Sequence, residues 1–149
     1  MYKIKIMIMS FLILMVGITH AETHEVKMLS NLKGQSMVFE PPVINIKPGD
    51  SVKWLSTNPG HNTAAIDEIL PTGANSWNGG INEELVITFE KEGVYGYKCS
   101  PHYILGMVGL VVVGDASSNL QEATKAAKEI ESKFAVNKTR FSEYFNKIK

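Results

Sequence analysis

Cysteine is almost absent: the 149 residues include only Cys99, so no disulfide can form within the chain and its stability has to come from packing. Net charge is missing as well. The 15 Lys and Arg balance 15 Asp and Glu, which excludes the strong basicity of a nucleic-acid binder. HExxH, P-loop and Ser/His/Asp patterns are lacking, as are internal repeats and low-complexity tracts. With 20% charged and 44% apolar residues, the composition is that of a folded chain, and its length suits one hydrophobic core.

Long apolar runs are confined to the N-terminus. Lys3 and Lys5 precede roughly 13 mostly apolar residues, Ile6 to Ile18, and then Thr19-His20-Ala21 leads to polar Glu22, the layout of a cleaved export signal. The run falls short of the roughly 20 apolar residues that span a bilayer. Residues 1–21 are therefore read as a signal peptide and residues 22–149 as one domain, about two charges acidic once Lys3 and Lys5 are gone. Export leads to an oxidising compartment, where a lone thiol survives if it is buried or bound.

From His24 to Gly114, short segments rich in Val, Ile, Tyr and Phe are separated by Gly, Pro and Asn, an all-β pattern. Val26 and Met28 alternate with Glu25 and Lys27. Met37-Val38-Phe39, Val43 to Lys47 and Val52 to Leu55 follow, with Pro48-Gly49-Asp50 suited to a type II turn. Leu85 to Phe89 and Val94 to Lys98 predict a hairpin around Lys91-Glu92-Gly93. Met107 to Val113 is almost wholly apolar and suits a strand covered on both faces. Asn58 to Ile81 shows little strand pattern, apart from one helical turn around Asp67 to Leu70, and long loops of this kind usually carry function. Beyond Gly114 the period changes. Leu120, Ala123, Ala127, Ile130 and Phe134, then Phe141, Tyr144, Phe145 and Ile148, predict two amphipathic helices, residues 116–149 forming an extension laid on a β-sandwich.

The chemistry concentrates in Cys99-Ser100-Pro101-His102-Tyr103-Ile104-Leu105-Gly106-Met107, a C-x2-H-x4-M spacing that brings a thiolate, an imidazole and a thioether into one loop. His61, in Pro59-Gly60-His61-Asn62 of the long loop, could approach them. Two His and a Cys with a weak, distant Met form the ligand set of a blue-copper electron-transfer site, a compromise between the preferences of Cu(I) and Cu(II) that leaves little to move when an electron arrives. Copper would also occupy Cys99 and so explain the unpaired thiol. Zinc fits less well, because structural zinc sites use several Cys and His and catalytic ones use His and carboxylates. A Cys99 nucleophile with His102 as base lacks an Asp or Asn to orient it. His20 falls in the signal, and His24, near the new N-terminus, is read as solvated. Asn137-Lys138-Thr139 matches a glycosylation sequon but is assigned no role.

On these residues the chain resembles the cupredoxins and, within them, the pseudoazurin family of small periplasmic blue-copper proteins. The resemblance runs over nearly all of the chain after the signal. It also rests on Val26-Lys27-Met28-Leu29, Met37-Val38-Phe39-Glu40-Pro41, Pro48-Gly49-Asp50, Gly60-His61-Asn62, Ile81-Asn82-Glu83 and Lys98 to Tyr103. The two C-terminal helices set it apart from plastocyanin and amicyanin. The resemblance implies an eight-stranded Greek-key β-sandwich with two C-terminal α-helices. It implies one type 1 copper per chain, held by His61, Cys99, His102 and Met107, with His102 reaching toward solvent. Asn62 is expected to bond the Cys99 sulfur through its backbone and to tie the ligand loops through its side chain, and Met37 to pack beside the exposed imidazole. An apolar patch of Met37, Gly60, Pro101, Ile104, Leu105 and Gly106, ringed by lysines, is expected to dock redox partners transiently. Lys33 and Lys98 fit that ring, but Thr57-Asn58-Pro59 and Ser76-Trp77-Asn78-Gly79 stand where other members carry further lysines.

The implied role is that of a monomeric periplasmic electron shuttle, not an enzyme, passing single electrons from a cytochrome or similar donor to a reductase. A copper nitrite reductase, a cytochrome peroxidase and an amine dehydrogenase relay are all compatible with the loop. The alternative is a periplasmic copper carrier that delivers metal without redox cycling. Carriers usually expose Met- and His-rich open sites, whereas this chain after its signal has only Met28, Met37 and Met107.

Overall fold

The computed structural model describes residues 20–148, so the segment read as an export signal lies outside the described residues apart from His20 and Ala21. The described strands are β1 Thr23–Leu32, β2 Gln35–Glu40, β3 Val43–Ile46, β4 Ser51–Leu55, β5 Ala64–Ala65, β6 Leu85–Thr88, β7 Gly93–Lys98 and β8 Val108–Val113. Two helices, α1 Leu120–Glu131 and α2 Arg140–Phe145, follow. In β1 the period of two places Val26 and Met28 fully inside while Glu25 and Lys27 face water. β1 pairs antiparallel with β2 and parallel with β4, setting Met28 opposite Phe39 and Val26 opposite Trp54. β6 completes a sheet ordered β2-β1-β4-β6, and the second sheet runs β3-β8-β7-β5. The expected β-sandwich with two C-terminal helices is therefore present.

The predicted hairpin between β6 and β7 does not form. β6 pairs with β4 in the first sheet, and β7 lies between β8 and β5 in the second. The reason lies in the two burial patterns. Exposed Val86 and Thr88 leave one face of β6 in water, whereas β7 is buried from Gly93 to Tyr97 and needs cover on both sides. The chain crosses between the sheets at buried Phe89 and enters β7 at Gly93, whose φ is +134° and where a Cβ would stand 2.7 Å from Pro71 and Ser118 side-chain atoms. Asn119 then donates from Nδ2 to Val94 O at 2.9 Å and accepts from Val94 N at 2.7 Å, joining the start of α1 to β7.

β8 explains why the helices are there. Its six residues are all buried, and they alternate between two cores. Val111 and Val113 pack with Val26, Trp54, Phe89 and Tyr97 between the sheets, while Val108, Leu110 and Val112 face Ala123 and Ala127 of α1 and Phe141, Tyr144 and Phe145 of α2. A sheet face this apolar cannot be left in water, and the amphipathic helices cover it. Phe134, expected on the first helix, lies beyond its end yet is buried, with its ring 5.8 Å from Tyr103.

The turn joining β3 to β4 is type II as expected, with Gly49 at φ +92° and Asp50 N donating to Lys47 O at 3.1 Å. His24 is not solvated as expected: its ring is half-buried, with Nε2 3.1 Å from Asp50 Oδ2, because the parallel pairing of β1 with β4 brings the strand start against this turn. Backbone N–H groups of Lys47 and Glu22, followed by the His24 ring, hold the Asp50 carboxyl down at about 2, against an ordinary 3.8. A carboxylate with a depressed pKa stabilises the fold fully above its ordinary value and stops doing so as the pH falls through the folded one. Asp50→Asn is therefore expected to lower the Tm at neutral pH and to flatten its decline between about pH 4 and pH 2. Thermal unfolding by circular dichroism across that range checks this.

Candidate metal centre

The long loop after β4 and the turn between β7 and β8 meet at one end of the sandwich. Cys99 leaves β7, and its N–H donates to Met107 O at 2.9 Å, so the chain returns directly beside its exit. Inside that closure a 3-10 turn over Tyr103–Leu105 ends on Gly106, whose left-handed φ of +74° lets Met107 N reach back to His102 O at 3.2 Å. On the other loop, Asn82 fixes the approach to His61: its side chain accepts from Gly60 N at 2.6 Å, and its own N–H donates to His61 O at 2.8 Å.

These constraints bring together three donor atoms. Cys99 Sγ stands 3.6 Å from His61 Nδ1 and 3.5 Å from His102 Nδ1, and the two imidazole nitrogens are 3.1 Å apart. Buried Met107 shares the core around Cys99 and is paired to it through the backbone. Two imidazole nitrogens and a sulfur at these spacings satisfy one another poorly as hydrogen-bond partners, since few protons fit between them; as lone pairs surrounding a common point they form a ligand cage. Among the described residues this is the one clustered group of metal-ligating side chains, and it contains no carboxylate. Soft sulfur with imidazole suits copper and fits poorly the hard oxygen sites of magnesium or calcium. His61, Cys99 and Met107 are buried and His102 is half-buried, so one donor of the four reaches the surface.

The surroundings prepare these donors. Ser30 Oγ lies 3.0 Å from His61 Nε2, leaving Nδ1 turned to the cage. Burial, and then the neighbouring His102 ring, push the His61 pKa down, so the imidazole is held neutral as a ligand must be. Burial pushes the Cys99 thiol up, against the backbone N–H groups of Asn62 and His102 that hydrogen-bond its sulfur. The Asn62 side chain binds both ligand loops: Oδ1 accepts from Ser100 N at 2.7 Å, and Nδ2 donates to Gly79 O at 2.9 Å. Met37 is half-buried against the core that contains Cys99 and Met107, in a left-handed conformation at φ +52°.

Around His102, Pro101 and Ile104 are exposed, and Leu105, Gly60 and Met37 are partly so. Gly106, expected in this patch, is buried, because Phe134 and Asn137 sit over it; a Cβ there would meet each at 3.1 Å. Lys98 lies with Nζ 4.6 Å from the centre of the Tyr103 ring, and Lys33 is exposed. Sequence reasoning gave no role to Ser30, Asn58 or Asn82, although Asn82 stands in a segment that carries the resemblance. Ser30 had a signal: it continues the inward row Val26, Met28 as the first polar member. Asn58, whose Oδ1 accepts from Ser30 N at 2.9 Å, had none.

A family model described as copper binding proteins, plastocyanin/azurin family, matches residues 26–114. The chain is 50% identical over 103 residues to the pseudoazurin of Methylorubrum extorquens, spanning 69% of this chain and 70% of that protein. It is 49% identical over 108 residues to the pseudoazurin of Paracoccus pantotrophus, spanning 72% of this chain and 74% of that one. Its fold is similar to the crystal structure of pseudoazurin from Methylobacterium extorquens, with a TM-score of 0.78 at 42% identity, covering 85% of this chain and 99% of that one. That structural match extends beyond the sandwich into the helical region.

Ser30→Ala removes the hydroxyl that turns His61 and leaves the cage donors in place. Copper affinity is expected to fall about tenfold, measured by competition with a chromophoric chelator.

Proposed function

The chain belongs to the plastocyanin/azurin family of copper-binding proteins, alongside the pseudoazurins, and is a blue-copper electron-transfer cupredoxin; from that premise we propose that it shuttles single electrons between periplasmic redox proteins, with copper held by His61, Cys99, His102 and Met107. The observation that carries the ligand assignment is the convergence of Cys99 Sγ and two imidazole Nδ1 atoms within 3.1–3.6 Å of one another, on loops fixed by backbone pairing. Copper at this site supplies a one-electron couple. The protein keeps the donors in one arrangement through both states, through the Cys99–Met107 pairing, the Asn62 ties and the Ser30 contact to His61. His102 provides the edge through which an electron leaves, since its three companions are enclosed.

The small apolar patch of Pro101, Ile104 and Leu105 around that edge favours brief encounters, with Lys98 beside it over Tyr103, and exposed Lys33 by resemblance, to orient a partner. The donor in this reading is a cytochrome or similar carrier and the acceptor a reductase such as a nitrite reductase, with the protein acting as a monomer. Periplasmic export rests on the signal-like segment of residues 1–21. Glu22, immediately after it, supports that boundary, because it is already held on both sides: its N–H donates to Asp50 Oδ1 at 2.9 Å, and its O accepts from Ser51 N at 2.8 Å. Among the described residues no helix is long and apolar enough to cross a membrane. The protein is not an enzyme in this reading, for the thiol is enclosed and out of reach of a substrate. The same enclosure disfavours a copper carrier, which has to hand its metal on.

Copper content and visible absorption of the purified protein test this. One copper per chain, an intense visible band, reversible bleaching on reduction and loss of the band in Cys99→Ser are expected; release of copper on reduction would instead establish a carrier. Ile104→Lys, placed in the patch and outside the cage, is expected to slow reduction by a cytochrome about tenfold in stopped-flow measurements while leaving the visible band unchanged.

A further inference from the structure

Arg140 is the only arginine in the chain, and it is 6% exposed. Among the described residues the ion pairs are His24–Asp50 and Lys53–Glu84, so this buried cation has no carboxylate partner. It is balanced by backbone carbonyls instead. Nη1 donates to Gly106 O at 2.7 Å and to Met37 O at 2.8 Å, and Nη2 donates to Ser36 O at 3.1 Å. Met37 and Gly106 are both left-handed, at φ +52° and +74°. Arg140 thus closes a three-way junction of β2, the residue before Met107, and α2.

Its neighbours extend the same pattern. Ala135 N donates to Ile104 O at 2.7 Å, and Asn137 Nδ2 donates to Leu105 O at 2.8 Å. The segment from the end of α1 into α2 therefore supplies a donor to each of three consecutive carbonyls, those of Ile104, Leu105 and Gly106. Packing alone would place an apolar side chain at position 140, since burying an unpaired cation is costly. A lysine could not replace the arginine in kind, because one compact ammonium lacks the planar fork that reaches Gly106 and Met37 from a single nitrogen while holding Ser36 with the other.

We propose that Arg140 is a positioning residue of the copper centre: it fixes the Gly106–Met107 segment against Met37, and so the Met107 side chain, while its charge, paired with no carboxylate, favours the reduced state. The centre loses one positive charge on reduction, so a fixed cation nearby disfavours the oxidised form more than the reduced one. The acidic side chains that line the same cleft as Arg140, Glu40 and Glu143, are exposed and screened by water. This inference rests on the electron-carrier reading of His61, Cys99, His102 and Met107.

The test compares copper-loaded wild type, Arg140→Met, Arg140→Lys and Glu131→Gln by midpoint potential, by the intensity ratio of the visible bands with the electron paramagnetic resonance spectrum, and by Tm. Glu131 is the control: buried at the end of α1, it accepts from Ser142 N at 2.9 Å, and so supports α2 without touching the ligand loop. Arg140→Met is expected to lower the potential and alter the spectrum at temperatures well below its Tm. Arg140→Lys is expected to regain most of the potential but not the spectrum, and Glu131→Gln to lose Tm with the spectrum unchanged and any shift of potential upward, since it removes a negative charge. An unchanged potential and spectrum in Arg140→Met, or a lowered potential and the same spectral change in Glu131→Gln, would overturn the proposal. If Arg140→Met does not fold, the lysine variant decides, because a spectrum identical to wild type would show that the fork positions nothing. A wild type that loses copper on reduction would overturn the electron-carrier reading, a result distinct from any of these.

Discussion

Holding Cys99 Sγ and two imidazole Nδ1 atoms within 3.1–3.6 Å of one another, away from water, is the constraint on which the rest of this structure turns. Left to themselves these groups would separate: imidazole lone pairs repel, a buried thiol prefers to stay protonated, and loops rich in glycine and proline are easily rearranged. Every connection near the cage opposes that separation. The Cys99–Met107 backbone pair closes one loop, Asn82 closes the other, and Asn62 joins the two. The donor arrangement is therefore held by the polypeptide's own hydrogen bonds. That is what low reorganisation requires, because a scaffold stiff in both redox states leaves the ion little freedom to rearrange.

The stiffness comes from β8. A strand with six buried residues needs apolar cover on two sides, and its alternation between the sandwich core and the helical core makes α1 and α2 part of the same packing as the ligand loop. Once the helices lie there, the chain between them crosses the turn that carries His102 and binds its carbonyls in succession. A helical extension that begins as a solution to one exposed sheet face ends by buttressing the metal centre.

How much of this could be read from the sequence depends on how local the cause is. Periods of two and 3.6 are local, so β1, β8 and the helices were legible, and C-x2-H-x4-M states its own chemistry within one loop. The hairpin between β6 and β7 failed because pairing is decided by which faces are covered, a property of neighbours distant in the chain. His24 was misread for the same reason, since only the parallel pairing with β4 brings Asp50 to it. Arg140 was illegible: it lies 103 residues from Met37 and 34 from Gly106, and nothing in its flanking residues signals that its guanidinium turns inward. Ser30 stands between these cases, a polar residue in an inward row that hinted at a partner without naming it.

Surface charge follows from the same distinction. The segment Ser76-Trp77-Asn78-Gly79 lacks the lysines expected of its relatives, and the structure gives a physical account of its tryptophan. Trp77 is buried, its indole N–H donates to Thr63 Oγ1 at 3.2 Å, and its ring lies 5.4 Å from that of Trp54. Ala65 N donates to Trp77 O at 2.8 Å, and Gly79 N donates to Thr63 O at 2.9 Å, so the segment is bound to the chain just beyond His61. Side chain and backbone at this position serve the core and the His61 loop and are not available to attract a partner. Lys98 is half-buried with its ammonium over the Tyr103 ring, so in the proposed docking reading few lysines are free to steer a partner toward His102, and recognition rests mainly on the apolar patch. In that reading, the residues that hold the His61 loop in place are ones that a more basic docking rim would have used to speed encounter.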